Sequence, residues 1–454
     1  MTDSHAATPT PREMSIDDAL AFAVEMLRDG NTNDGLKLCD RILEVAPEHA
    51  SALHFRGLGL HQTGRFAEAI ASIERALVVA PRYTDAWNNL GNMLLQAERV
   101  ADAEVAYRKV LEIEPQHADA WNNLGTALKE QDRLEEAEAA ARKALELQPA
   151  HADAHHTLGN VLRLRKRPHE ALEAFKQAIL LRPQHPDSYR GLGAALYAVG
   201  QIEEAAEVYR RWVALEPENP YPQHLLAACT QQAIPERASD AFVASTFDRF
   251  ANSFDKVLSG LQYRAPALLA QAIEEYLGPP APRFDVADAG CGTGLCGPLL
   301  RPWARTLDGV DLSKAMVNHA RDRKVGDAPA YDELTVAELT AHFFGRPACY
   351  DLVVSADTLC YFGRLEAPVE SLARALRPNG LLAFTVERAD EAHAPDGFAI
   401  HPHGRYSQTE TYVRRVLKGA GLSPKLIACV HLRLEKAKPV DGLLVLAKKQ
   451  GRAS

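Results

Sequence analysis

"DAWNNLG" is written twice in this chain, at residues 85–91 and again at 119–125, 34 positions later. The same interval runs outward in both directions. Prolines stand at 47, 81, 115, 149, 183 and 217, glycines at 57, 91, 125, 159 and 193, and alanines at 69, 103, 137, 171 and 205. Three residue types held in one phase make an internal repeat. Each unit reads as two amphipathic helices. The glycine and the alanine are small where the two helices cross closely, and the proline follows the second helix and stops it. One pair cannot bury its apolar face alone, so the units stack into a superhelix.

The period and the two DAWNNLG stretches resemble the tetratricopeptide repeat, whose pattern is matched by Trp87, Leu90, Gly91, Ala103 and Pro115. Five full repeats are read at 50–83, 84–117, 118–151, 152–185 and 186–219, with a degenerate one at 16–49 that keeps Pro47. A capping helix is expected at 220–233. Val110 and Trp212 depart from the pattern by replacing a usual small residue, and Arg56 replaces an apolar one. The resemblance implies a concave groove that recruits a protein or peptide partner. Asn89, Asn92, Asn123 and Asn160 fall at groove-facing positions, where they either bond a peptide backbone or are simply solvated. Trp87, Trp121, Tyr189 and Tyr209 are expected to pack between repeats.

A chain of 454 residues has room for two or three domains. The net charge is −9, and the excess is uneven: residues 1–240 hold 36 acidic and 25 basic side chains, residues 241–454 hold 24 and 26. That balance argues against a nucleic-acid binder. Seven cysteines occur with no CxxC pair and no zinc-ligand spacing, which suits reduced thiols and no metal site. Residues 1–15 read as a disordered lead without the apolar stretch of a secretory signal, and no run of 18 apolar residues exists. The expectation is therefore no membrane segment and a cytoplasmic protein.

The pattern changes at "IPERASDAFV" (234–243), and residues 234–283 are expected to form a linker and lid helices before a domain at 284–454. There, apolar runs alternate with helices, as in a parallel α/β sheet. Strands are expected at 284–290, 307–313, 331–339, 350–362, 381–387, 424–432 and 442–449. Helices are expected at 314–323 with Ser313 as N-cap, at 368–380 closed by Asn379-Gly380, and at 408–421.

"VADAGCGTGLCG" (286–297) follows the first of these strands. Gly292, Gly294 and Gly297 satisfy the dinucleotide fingerprint, and Asp311 sits where a ribose-binding carboxylate belongs. The absence of a following Gly-Lys-Ser/Thr excludes a P-loop. The longer run Asp288-Ala289-Gly290-Cys291-Gly292-Thr293-Gly294, with the later "YDLVVSADTLCYF" and "LRPNGLLAFTVE", resembles class I S-adenosylmethionine-dependent methyltransferases. The implied architecture is an all-α tetratricopeptide superhelix followed by an α/β, Rossmann-like, seven-stranded methyltransferase domain with an antiparallel last strand. The implied cofactor is S-adenosylmethionine. Asp288 would bind its ammonium, directly or through water, and Ala289, Gly290, Cys291, Gly292 and Gly294 would form the loop around it. Asp311 would accept the ribose hydroxyls, Leu312 and Met316 would flank the cofactor, and Glu338 would either bond the adenine or stand exposed. Ser355, Ala356 and Asp357 would line the methionine end, and Tyr263 would contact the carboxylate.

Phe247, Phe250, Phe254 and Leu258 recur at helical spacing, either as a packing stripe or as a lid. Phe254, Tyr361, Arg405 and Tyr406 are candidate substrate contacts, and His401 and His403 are candidate bases. Repeats, "FDxxAxxFD", the glycine loop and "GRY" together resemble a bacterial group of tetratricopeptide-repeat methyltransferases. Ser355-Ala356-Asp357-Thr358 stands where methylases of nucleic-acid amino groups carry Asn/Asp-Pro-Pro-Tyr, which disfavours such acceptors. Two functions follow: methyl transfer to an O, N or carboxylate group of a small molecule or protein, or a catalytically silent scaffold that binds the cofactor or its product.

Overall fold

The structure is a computed structural model that describes residues 14–435 and 438–451. Most of the expected lead and the last three residues lie outside the described residues. Compactness divides the chain into one unit up to Gly200 and a second from Gln201.

The first unit is helical. Its pairs are α1 (Ile16–Arg28) with α2 (Thr32–Val45), α3 (Ala50–Gln62) with α4 (Phe66–Val79), and α5 (Thr84–Gln96) with α6 (Val100–Ile113). They continue as α7 (Ala118–Glu130) with α8 (Leu134–Leu147), and α9 (Ala152–Leu164) with α10 (Pro168–Leu181), before α11 (Pro186–Val199). The small residues do what the period requires. A Cβ on Gly57 would stand 2.5 Å from Ile73, and one on Gly91 would stand 2.5 Å from the Tyr107 ring. The repeat at 16–49 keeps more than its proline. Gly35 lies close against Leu27 and Ala23, with the two small residue types exchanged between the helices.

The aromatic residues of the period also have a local task. Trp87 and Trp121 donate their ring N–H groups to the carbonyls of Pro81 and Pro115, at 2.9 and 2.8 Å. His155 and Tyr189 repeat the bond on Pro149 and Pro183. Carbonyls just past a helix end that lack an intrahelical partner are thus satisfied once per repeat. Val110 is fully buried despite its size, and Arg56 carries its charge out to Asp40 at 2.6 Å.

The second unit opens with α12 (Ile202–Leu215) and α13 (Pro220–Thr230), ahead of the sequence boundary at 233. The reason is packing within this unit: the rings of Tyr221 and His224 lie 5.0 and 4.2 Å from Phe242. Trp212 and Tyr209 on α12 are buried. Then come α14 (Asp240–Gly260), which Ser239 caps, and α15 (Ala265–Leu277).

The sheet follows. Its strands are β1 (Phe284–Ala289), β2 (Ala304–Asp311), β3 (Glu333–Val336), β4 (Tyr350–Ser355) and β5 (Leu376–Arg388). Two short strands, β6 (Phe398–Ile400) and β7 (Tyr406–Gln408), precede β8 (Leu422–Glu435) and β9 (Lys438–Lys449). The continuous path runs β8–β9–β5–β4–β1–β2–β3, seven strands as expected, and β6 and β7 bring the sheet to nine. Strand β9 is antiparallel to both neighbours, while β5, β4, β1, β2 and β3 pair in parallel. Strand order reverses at β1, which opens a crevice beyond the carboxyl ends of β1 and β4.

The helix after β2 is α16 (Lys314–Arg321), with Ser313 capping as expected at 3.1 Å. Two elements differ. The helix expected at 368–380 is α17 (Glu366–Ala375); it stops ahead of Pro378, which disfavours a helical Arg377. Asn379-Gly380 lies in an irregular stretch inside β5, where the register to β4 shifts, with Asn379 at φ 67°. The fourth strand ends at Ser355 instead of 362, because Asp357 takes φ 51° and turns the chain into the cavity.

Candidate active site

A cavity of about 340 Å³ opens beyond the carboxyl ends of β1 and β4. Gly290, Gly292, Asp311, Leu312, Glu338, Ala356, Asp357 and Tyr263 line it. The Gly292 N–H donates to one oxygen of Asp311 at 2.9 Å, and the Ser313 N–H donates to the other at 2.9 Å. The carboxylate is thereby fixed at the strand end. Burial raises its pKa, and the backbone N–H groups of Ser313 and Gly292 oppose the rise. Gly290 has φ 81°, and a Cβ there would fall 2.0 Å from the Thr358 hydroxyl oxygen, so only glycine fits.

Other expected cofactor residues lie beneath the loop instead of in the cavity. Asp288 is fully buried: one oxygen accepts the Tyr331 hydroxyl at 2.6 Å and the other has no partner among the described residues. Burial, against the Tyr331 bond, raises its pKa to about 7. Ser355 donates to the Ala289 carbonyl at 2.8 Å, which ties β4 to the loop. Ala289, Cys291 and Met316 are buried packing, and Gly294 makes room for Arg323 and Tyr331. Glu338 caps the helix that follows it, accepting from the Ala341 N–H at 2.7 Å.

Helix α14 covers the cavity. Phe247, Phe250, Phe254 and Leu258 all line it, so the aromatic stripe faces the site. A second stripe, at 248, 252 and 255, pins the helix down. Asp248 accepts from the Ser313 hydroxyl at 2.6 Å and from the Ala315 N–H at 3.2 Å. Asn252 accepts from His319 at 2.9 Å, and Asp255 accepts from the Thr293 hydroxyl and pairs with Arg323.

The far wall is built from three segments. Tyr221 and Leu225 of α13 line it, together with Tyr361, His403 and Arg405. His224 donates to the Gly404 carbonyl at 2.8 Å, Gln231 to the Ile400 carbonyl at 3.0 Å, and the Ala238 N–H to the Tyr361 carbonyl at 2.8 Å. Tyr406 does not reach the cavity. It is fully buried, and its hydroxyl donates to the Pro235 carbonyl at 2.8 Å. His401 does not line it either and bonds Ser407 at 2.8 Å. His403 does, but burial and then Arg405 lower its pKa to about 3, so it is neutral and weakly basic.

Three charged residues went unnoticed in the sequence. Arg433 pairs with Asp357 and Glu435, each at 2.8 Å, and with Glu387. Arg405 pairs with the same Glu387 at 2.7 Å and with Glu435. Burial disfavours the Glu387 charge, yet Arg405 and Arg433 bring its pKa down to about 2. These groups come from β5, the β6–β7 connection and β8, and only the sheet order brings them together.

Comparisons with known proteins follow the same division. Residues 15–255 match the family of the cilia and flagella-associated protein 70 C-terminal domain, more than half of the chain. The chain belongs to this family. This member carries in addition a class I methyltransferase domain, since residues 287–384 match the methyltransferase domain family. The malonyl-[acyl-carrier protein] O-methyltransferase of Acetivibrio thermocellus is 34% identical over 106 residues, 23% of this chain and 35% of the relative. The protein of the same name from Enterobacter lignolyticus is 32% identical over 149 residues, 33% of this chain and 54% of the relative. The chain thus spans about half or less of the length of these curated relatives. Among solved structures, MamA is similar at 25% identity, covering 36% of this chain and 95% of that chain with a TM-score of 0.33. PilW, a type IV pilus biogenesis factor, is similar at 21% identity, covering 46% and 98% with a TM-score of 0.44.

In the first unit, the asparagines expected to face a groove bond their neighbours. Asn89 meets His54 at 2.9 Å, and Asn160 meets His156 at 2.8 Å. Asn123 donates to Asn88 at 3.0 Å and to Asn92 at 3.3 Å, and Asn92 also accepts from Tyr107. Among the described residues, no helix is long and apolar enough to cross a membrane.

Proposed function

We propose that the second unit transfers a methyl group from S-adenosylmethionine to an O, N or carboxylate acceptor, and that the repeats recruit a protein or peptide. The observation that carries this reading is Asp311, held by two backbone N–H groups at the mouth of the glycine loop and open to the cavity. A carboxylate fixed at the strand end suits the paired hydroxyls of a ribose. The loop accommodates a close ligand: a Cβ on Gly292 would meet only Phe254, at 3.9 Å.

When bound, S-adenosylmethionine supplies an activated methyl group on a sulfonium. Gly290, Gly292, Asp311 and Leu312 would hold it, and Glu338 stands in the same lining. The chain's own part is then alignment and exclusion of water. Helix α14 excludes water with its aromatic stripe. Neutral His403 accepts the Arg405 N–H at Nδ1, at 3.2 Å, so its Nε2–H is a donor and not a base. Asp288, buried under the loop, acts on its shape and not by direct contact. In the first unit, Asn89, Asn92, Asn123 and Asn160 keep donors or acceptors beyond the bonds to their neighbours, and these suit an extended peptide backbone.

Titration calorimetry of the full chain with S-adenosylhomocysteine, with NAD as a control, tests the reading. Micromolar binding that Asp311→Ala abolishes is the expected result. A folded protein that binds no S-adenosylhomocysteine would overturn it.

A further inference from the structure

The acceptor end of the cavity has a charge problem that narrows its substrate. Asp357, Glu387 and Glu435 surround Arg405 and Arg433, so three carboxylates meet two guanidiniums. Arg433 and Glu387 are 5% exposed. Each arginine is already engaged, Arg433 with three carboxylates and Arg405 with two. An incoming carboxylate would have to displace one of the chain's own. The rest of the lining adds no positive balance: Asp240, Asp311 and Glu338 stand there against Arg237 alone. Away from bulk water, such an excess repels anions and favours cations.

Aromatic rings complete the picture. Tyr361 and Phe247 meet edge to face at 5.3 Å on the cavity wall, and Phe254 packs beside Phe247 at 6.0 Å. Aromatic rings with carboxylates close by are one means by which proteins hold ammonium groups.

From this we infer that the methyl acceptor is an amine on an apolar or aromatic body, and not a carboxylate. The inference rests on the methyltransferase reading above. The amine arrives as an ammonium and loses one proton to water. Its lone pair then forms the N–C bond to the methyl carbon as the C–S bond breaks, and the electron pair of that bond stays on sulfur. The methylated ammonium carries the positive charge that the sulfonium gave up, so charge and atoms balance.

The test uses the full chain saturated with S-adenosylhomocysteine and two probes with similar bodies, phenethylamine and 3-phenylpropanoate. Ligand-detected NMR titration measures both. The amine is expected to bind at least about tenfold more tightly, and Glu435→Gln is expected to reduce that preference severalfold. A carboxylate that binds as well as the amine, or an amine that does not bind, overturns the inference. Failure of S-adenosylhomocysteine itself to bind sinks the reading beneath it, which separates the two.

Discussion

Asp288→Asn tests how the glycine loop is supported. The wild-type carboxyl is fully buried, and its pKa is raised to about 7 by burial, with Asp311 adding to the rise and Tyr331 opposing it. An unfolded aspartate titrates near about 3.9. Between those values the folded chain keeps the proton and the unfolded chain has lost it. The unfolded state then binds fewer protons, so this group's stabilising effect is full below the unfolded value and is lost as pH rises through the folded one. Between pH 5 and pH 8 the loss is roughly two pH units, or about 3 kcal/mol. The amide that Asp288→Asn introduces would keep a carbonyl for the Tyr331 hydroxyl but leave an N–H unmet, at a cost of about 1–3 kcal/mol. That cost is the same at both pH values and cancels from the comparison. Urea unfolding of both proteins at pH 5 and pH 8 should therefore show the variant gaining about 3 kcal/mol on the wild type as pH rises. Parallel pH dependences would refute the argument, because they would mean that the buried carboxyl ionises without penalty.

Gly290→Ala should destabilise the second unit by more than ~2 kcal/mol and abolish S-adenosylhomocysteine binding, since the left-handed conformation and the Thr358 contact both oppose a Cβ; thermal unfolding with and without ligand checks it. Trp121→Phe should cost the first unit less than about 1 kcal/mol, because water replaces the ring N–H at the exposed Pro115 carbonyl, as measured by denaturant unfolding. Arg433→Met should cost about 3–5 kcal/mol because it leaves Asp357 with no guanidinium and Glu387 with one, again read from denaturant midpoints.

The period was legible because helix crossing imposes the same local demand every 34 residues, so glycine, alanine and proline carry it openly. The sheet and its loop were legible for a similar reason: apolar runs, the loop glycines and Ser313 act within a few residues of each other. What stayed hidden depends on closure in space. Arg433, Glu435 and Glu387 lie on strands whose adjacency follows from sheet order, and nothing in their neighbours marks them. Tyr331 sits in a stretch read only as a strand, yet it supports Asp288 and fills the space under Gly297 and Gly309. Asp248, Asn252 and Asp255 could have been found, since they repeat at helical spacing beside the phenylalanines. Asn379-Gly380 shows the opposite failure: the left-handed signal is real, but it belongs to a register shift within β5.

The strap from α13 across the far wall bears on how such a chain can be inherited. Recombination placed where the sequence pattern changes, after residue 233, would deliver an intact glycine loop with Tyr221, Leu225 and the His224 tie missing from its cavity. A crossover near residue 200 would carry that wall along. Among the described residues, none upstream of this point lines the cavity. The compact unit that carries the cavity thus begins inside what the 34-residue rhythm marks as the last repeat.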